Sequence, residues 1–161
     1  MTMARLPGSV LFACTLNAAR SPMAEGIMKQ LYGDRVFIDS IGVRRGEPIG
    51  FAVAVMAEIG IDMYSHKPKS FEELEDTSFD LVISLSPEAQ HKAVELTRTS
   101  ACDLWFWHTF DATAVHGNRD AILEAFRQVR DTLARRIIEA FAEAALPRLP
   151  DHPGWHAITG K

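Results

Sequence analysis

The chain has 161 residues, 47% hydrophobic and 24% charged, with 17 Lys and Arg against 21 Asp and Glu for a formal charge of −4. That is the size and composition of one globular domain, which excludes a disordered chain, a collagen-like repeat and a coiled coil. No basic excess marks a nucleic-acid binder, no apolar run reaches the roughly 18–20 residues of a membrane helix, and two cysteines cannot build a disulfide framework. In chain order, the compact apolar run Ser9–Cys14 reads as a buried parallel strand. Residues 21–31 carry helical spacing, with Met23 or Ala24, Ile27 and Leu31 on one face. Ser21 is placed to cap that helix and Pro22 to open it. Gly33 and Asp34 stop it. Residues 36–41 predict a second strand, closed by Gly42. Phe51, Val55, Met56 and Ile59 mark a second helix, closed by Gly60. A polar stretch follows, with a loop at Lys67-Pro68-Lys69 and a short acidic turn expected over 72–76. Residues 79–84 predict the third strand, and Pro87 opens a helix through Leu96. Residues 104–107 predict the fourth strand, and 110–117 a loop. Asn118 caps the last helix, whose face is Ile122, Phe126, Val129, Leu133, Ile137 and Phe141 and which Pro147 ends. Residues 147–161 are expected to be an extended tail, leaving 1–146 as a single domain.

Alternation of near-continuous apolar strands with amphipathic helices predicts an α/β fold. Its three layers are a four-stranded parallel sheet with helices on both faces. Right-handed crossovers place every strand-to-helix turn on one edge of the sheet, where ligands bind. The turns after Cys14, Ser84 and Trp107 therefore compete for the site.

The first of these is the most informative: Cys14-Thr15-Leu16-Asn17-Ala18-Ala19-Arg20-Ser21-Pro22. A six-residue strand–loop–helix connection can curl so that its backbone N–H groups, from Thr15 to Arg20, surround an anion at a helix N-terminus. Arg20 closes the ring with a planar fork matched to phosphate oxygens. A cysteine at the base of such a nest is favoured as the thiolate, and the Ser21 hydroxyl can donate to its sulfur. That arrangement suits in-line attack on a phosphoryl group. A cysteine ending a buried strand is otherwise inert core, so the strand before it and the Ser-Pro helix start after it carry the reading.

Residues 10–25, from Val10 through this loop to Glu25, resemble the phosphate loop of low-molecular-weight protein tyrosine phosphatases and the related thioredoxin-coupled arsenate reductases. The similarity continues at Asp39-Ser40-Ile41-Gly42, at Gly60-Ile61-Asp62 with His66, along 79–84, and at Phe110-Asp111-Ala112 before the last helix. The resemblance implies that family's four-stranded fold and its metal-free hydrolysis of phosphomonoesters. It makes Cys14 the nucleophile, Arg20 the clamp and Asp111 the general acid. Thr15, Leu16, Asn17, Ala18, Ala19 and Arg20 would line the phosphate site through backbone N–H groups, with Asn17 and Ser40 bracing the loop and Ser21 stabilising the thiolate. The chain departs from the pattern in four ways. Leu16 stands where the family has Gly, which would cost about 1–2 kcal/mol if that residue were left-handed. Ala19 stands where many members have a second cysteine, Ala112 where they have proline, and no tyrosine follows. Aromatic substrate contacts would then come from Trp105, Trp107 or Phe110.

The residues also single out Asp111 by position. A general acid must approach from the mouth of the pocket. Asp80 and Asp103 lie at the start of strands, and Asp120 has a role in the first turn of a helix. Only Asp111 follows a strand on the edge that holds Cys14. The function expected is thus a cysteine-dependent phosphomonoester hydrolase, a protein tyrosine phosphatase, acting through phosphocysteine on a phosphotyrosine protein or small aryl phosphate and binding inorganic phosphate or another oxyanion. An arsenate reductase is the alternative, though 84–87 hold serines where those enzymes need cysteines and Cys102 is the only other thiol. A catalytically weak oxyanion-binding module is the third reading. No cofactor, metal, nucleic acid or membrane is expected. The N-terminal residues lack a signal-peptide pattern, so a cytoplasmic location is expected.

Overall fold

The computed structural model describes residues 2–75 and 78–160. Four strands, β1 (Ser9–Cys14), β2 (Phe37–Gly42), β3 (Leu81–Ser84) and β4 (Asp103–Phe106), form one parallel sheet in the order β2-β1-β3-β4. Helix α1 (Arg20–Tyr32) carries the chain from β1 to β2, and α3 (Pro87–Leu96) carries it from β3 to β4. These crossovers travel in opposite directions along the sheet, so right-handedness sends their helices to opposite faces.

Side chains alternate accordingly. Val10, Phe12 and Cys14 of β1 join Leu81, Ile83 and Trp105 in the larger core, with α1, α2 (Gly50–Ala57) and α4 (Arg119–Phe141). Leu11 and Ala13 join Ile41 and Val82 beneath Ala89 and Ala93 of α3. The three-layer arrangement expected from the sequence is the one observed. The strand order switches direction between β1 and β3, so the crevice at their C-terminal ends is the natural binding position.

Several boundaries differ from the expected ones. Ala19, not Ser21, is the N-cap of α1, and it makes no side-chain cap, which leaves the Ser21 hydroxyl for other partners. Helix α4 ends at Phe141 rather than continuing to Pro147, because its apolar face runs out there. The acidic turn is a 3-10 turn at Phe71–Glu73; the end of the stretch expected for it lies outside the described residues. The loop after β4 contains a second 3-10 turn, Ala112–Ala114. The expected extended tail holds a helix, α5 (Pro153–Thr159), begun by Pro153 with the His152 ring accepting from the Gly154 N–H at 3.0 Å. Trp155 of α5 is buried, donates from Nε1 to the Ile59 carbonyl at 2.9 Å, and belongs to the main core. Only the pair Trp155 and Ile158 on seven residues signals this helix, too little periodicity to read among the surrounding prolines. Among the described residues, no helix is long and apolar enough to cross a membrane.

Candidate active site

Cys14 ends β1 with its side chain in the core and 2% of its surface exposed. The loop that follows is fastened from outside. The carbonyls of Cys14, Thr15, Leu16 and Ala18 accept from the backbone N–H groups of Val43, Arg44, Gly46 and Ile49, at 3.0, 2.9, 2.8 and 3.3 Å. In a planar trans peptide the N–H points opposite to the carbonyl. The N–H groups of Thr15, Leu16, Asn17 and Ala19 are therefore turned to the inside of the loop. The Asn17 N–H reaches the Cys14 sulfur at 3.3 Å. The N-terminus of α1 opens onto the same space and adds its positive end.

Asn17 makes this curvature possible. Its φ is 53°, and it is the only non-glycine residue with positive φ among the described residues. Asn tolerates the left-handed region better than other side chains. Leu16, which would be strained there, is not left-handed; it sits 41% exposed on the rim. The Asn17 side chain is fully buried and fully paired. Its amide donates to Ser21 Oγ and Ser40 Oγ, both at 2.9 Å, and its Oδ1 accepts from the Lys69 N–H at 3.0 Å and His66 Nε2 at 3.1 Å. Ser40 donates onward to Glu25, which also meets Lys29. Burial pushes the His66 ring below its ordinary range, with Lys69 acting in the same direction and Glu25, Asn17 and Asp39 opposing. Asn17 Oδ1 can only accept, so Nε2 of His66 carries a proton in this contact.

Ser21 Oγ lies 2.8 Å from the Cys14 sulfur and 3.2 Å from the Ile41 carbonyl. Asn17 already donates to it, so its one proton goes either to the sulfur or to Ile41. A thiolate takes that proton as acceptor; a thiol donates to Ser21 and releases its proton to Ile41.

Arg20 Nη1 donates to the Thr109 carbonyl at 3.2 Å, and Nη2 approaches Thr15 Oγ1 at 3.5 Å and Asp111 Oδ2 at 4.0 Å. Asp111 therefore stands on the Cys14 side of the sheet, on the loop after β4. It also has the local role of a turn aspartate: its Oδ1 accepts from the Thr113 N–H at 3.0 Å and hydroxyl at 2.6 Å. The second oxygen is left to the mouth of the site. The structure thus brings together Cys14, Thr15, Asn17, Arg20, Ser21, Ser40 and Asp111. Trp105 is buried against Phe141, and Trp107 packs on Phe12, whereas Phe110 beside Asp111 is 59% exposed. No group of three or more His, Cys, Asp or Glu able to hold a metal is found among the described residues.

The family model for low molecular weight phosphotyrosine protein phosphatase matches residues 9–146. The chain belongs to this family. Its members are enzymes that work through a cysteine. Family relatives include a glutaredoxin arsenate reductase of Synechocystis, 28% identical over 83% of this chain and 96% of that protein. An arsenate reductase of Halalkalibacterium halodurans is 32% identical over 83% of this chain and 94% of its own. Among solved family structures, the low molecular weight protein tyrosine phosphatase from T. tengcongensis gives a TM-score of 0.65 at 28% identity, covering 81% of this chain and 97% of that one. An arsenate reductase in the oxidized state gives 0.68 at 27% identity, covering 86% and 99%.

Sequence reading left His66, Glu25, Lys69, Ser86 and Thr109 without a contact to the loop. His66, Lys69, Ser86 and Thr109 lie between 49 and 89 residues from their loop partners, and Glu25 reaches the loop only through Ser40; no local pattern announces such pairings.

Proposed function

We propose that the protein hydrolyses phosphomonoesters through a phosphocysteine, with a phosphotyrosine protein or a small aryl phosphate as substrate. The observation that carries this reading is a cysteine sulfur 3.3 Å from an inward-turned N–H and 2.8 Å from a hydroxyl, under a loop whose carbonyls are fastened outward. In this reading the Cys14 thiolate attacks phosphorus in line, the P–O ester bond breaks, and Asp111 gives a proton to the departing oxygen. Water then attacks the S–P bond, Asp111 takes its proton, and inorganic phosphate leaves. The inward N–H groups of Thr15, Leu16, Asn17 and Ala19 and the Arg20 fork meet the equatorial oxygens throughout. The exposed Phe110 is the aromatic surface nearest to Asp111 in sequence, and it supports an aryl substrate where the family tyrosine is lacking.

The names of the relatives favour a second reading, arsenate reduction. Against an intramolecular thiol cascade stands the position of Cys102. It precedes Asp103, which pairs with Leu81, which in turn is level with Val10. Cys102 is thus about five residues back and two strands across from Cys14, roughly 15–20 Å away. A disulfide needs Cα atoms within about 7 Å. Burial and the adjacent Asp103 also push the Cys102 thiol up, away from the reactive thiolate.

Turnover of 4-nitrophenyl phosphate by the wild type and Cys14→Ser tests the hydrolase reading. The variant is expected to keep inorganic phosphate binding and to lose turnover. Arg20→Lys is expected to be severely impaired, because a point charge cannot make the two-pronged contact. Substantial hydrolysis by Cys14→Ser sinks the phosphocysteine. Multiple-turnover arsenate reduction with thioredoxin, and no ester hydrolysis, installs the second reading. Phosphate binding with neither reaction leaves an oxyanion-binding module.

A further inference from the structure

Arg20 stands between two acceptors of different kinds. On one side is the carboxylate of Asp111, 4.0 Å from Nη2. On the other is a neutral hydroxyl, Thr15 Oγ1, 3.5 Å from the same nitrogen. In a simple electrostatic contest the carboxylate wins, and the resulting ion pair would occupy both the clamp and the acid.

The surroundings of Thr15 tell against that outcome. Thr15 Oγ1 donates to Ser86 Oγ at 3.0 Å. Ser86 is the N-cap of α3 and accepts from the Ala89 N–H at 3.2 Å. It is 2% exposed, so its position is fixed by the helix it caps. With Ala89 and Thr15 both donating to it, the lone pairs of Ser86 are filled. The single proton of Thr15 is committed to Ser86, and its oxygen can face Arg20 only as an acceptor. A guanidinium has donors alone, so the match is one-way.

The second anchor of Arg20 leads to the same place. Thr109, whose carbonyl takes Nη1, donates its own N–H to the Leu85 carbonyl at 2.9 Å. Leu85 in turn donates its N–H to the Ala13 carbonyl at 2.8 Å. Both holds on Arg20 are therefore tied to the turn Leu85-Ser86 between β3 and α3, the element lying across the crevice from the loop.

We propose that Thr15 and Ser86 form a hydroxyl relay that positions Arg20 over the loop and keeps it from collapsing onto Asp111. Ser86 is a positioning residue acting through Thr15; the backbone N–H of Thr15 keeps its separate place in the oxyanion nest. The proposal rests on the hydrolase reading of the site, and its test is chosen to separate the two.

The measurement is calorimetric binding of inorganic phosphate, made alongside turnover of 4-nitrophenyl phosphate. Thr15→Val preserves shape and removes the acceptor. It is expected to weaken phosphate binding about tenfold, the worth of a hydrogen bond to a charged group. Thr15→Ser should restore the affinity. Adding Asp111→Asn to Thr15→Val should recover most of the loss, since the competing charge is gone, and should do so by a larger factor than Asp111→Asn gives in the wild type. Ser86→Ala, with Thr15 intact, should weaken phosphate binding in the same direction, an effect that loss of a helix cap alone does not produce. Wild-type phosphate affinity in Thr15→Val, or strictly additive effects of the two substitutions, overturns the relay while leaving the hydrolase reading in place. Phosphate binding without ester turnover in the wild type removes the hydrolase reading and leaves the relay to be judged by the binding cycle. A wild type that takes up no phosphate overturns both.

Discussion

Asn17 and Asp111 are the residues on which most of the site's geometry turns. The left-handed bend of the loop is at Asn17 and not at Leu16, whose φ the sequence alone leaves open. The spacing between Cys14 and Arg20 is visible in the sequence; which of five intervening residues bends is not, because Asn is an ordinary polar residue until its burial is known. Asp111 was legible for a different reason. Its position after an apolar strand fixes the sheet edge on which it stands, whatever its side chain does. Its structural use, accepting twice from Thr113 through Oδ1, leaves Oδ2 facing Arg20 at 4.0 Å. Asp111→Asn is therefore expected to slow hydrolysis most for esters with poor leaving groups and least for those that depart without a proton. The check is a series of aryl phosphates of graded leaving-group acidity. A uniform loss across the series would assign Asp111 to structure or binding.

Among the elements, the segment 43–49 carries more of the site than its irregular shape suggests. It supplies the four donors that hold the loop carbonyls outward. It can come that close because Gly42 ends β2. A Cβ there would stand 2.5 Å from the Arg44 carbonyl oxygen, 2.6 Å from the Asn17 nitrogen and 2.7 Å from the Leu16 carbonyl carbon. All three are backbone atoms that cannot swing aside. Gly42→Ala should lower stability by about 1–3 kcal/mol, the usual effect of overpacking. It should also reduce turnover by on the order of a hundredfold, through displacement of the loop by a fraction of an ångström or more. Thermal unfolding and steady-state kinetics on the same preparation check this; an active, merely less stable variant would show that the loop keeps its shape without the contact. In the sequence, Gly42 was legible as the end of a strand. Its closeness to Leu16 and Asn17 was not, since register between β1 and β2 is a property of the sheet. Helix α5 escaped for the converse reason: its stability comes from burying Trp155 against a distant helix end, while its own seven residues have little helical pattern.

At the scale of the whole molecule, the strand order and the two core layers follow from hydrophobic patterning and crossover handedness, both of which a sequence displays. The polar chain from Glu25 through Ser40, Asn17 and His66 to Lys69 does not, because it is assembled from two crossover segments and the strand β2 between them. It also links folding to pH. The folded state holds His66 below its ordinary value of 6.5, so between that value and its lower folded one the unfolded chain binds more protons. Stability from this group is present above about 6.5 and is lost as the pH falls through that window. Denaturant unfolding from pH 7.5 downward should show a fall in stability that is shallower in His66→Gln, where the donor to Asn17 is kept and the titrating ring is gone. Equal slopes in the two proteins would remove His66 from the account.

The outward fastening of the loop carbonyls has a consequence for how a ligand is met. Four N–H dipoles of like sign are turned into one space, and the work of aligning them is done when the chain folds, not when an anion arrives. An oxyanion entering this space has little backbone to order and little mutual repulsion to create, since both were already settled in the unliganded protein. The loop is thus an electrostatically loaded part of the fold, relaxed rather than deformed by the arrival of negative charge; in the proposed hydrolysis the same relaxation would meet the charge that builds on the equatorial oxygens.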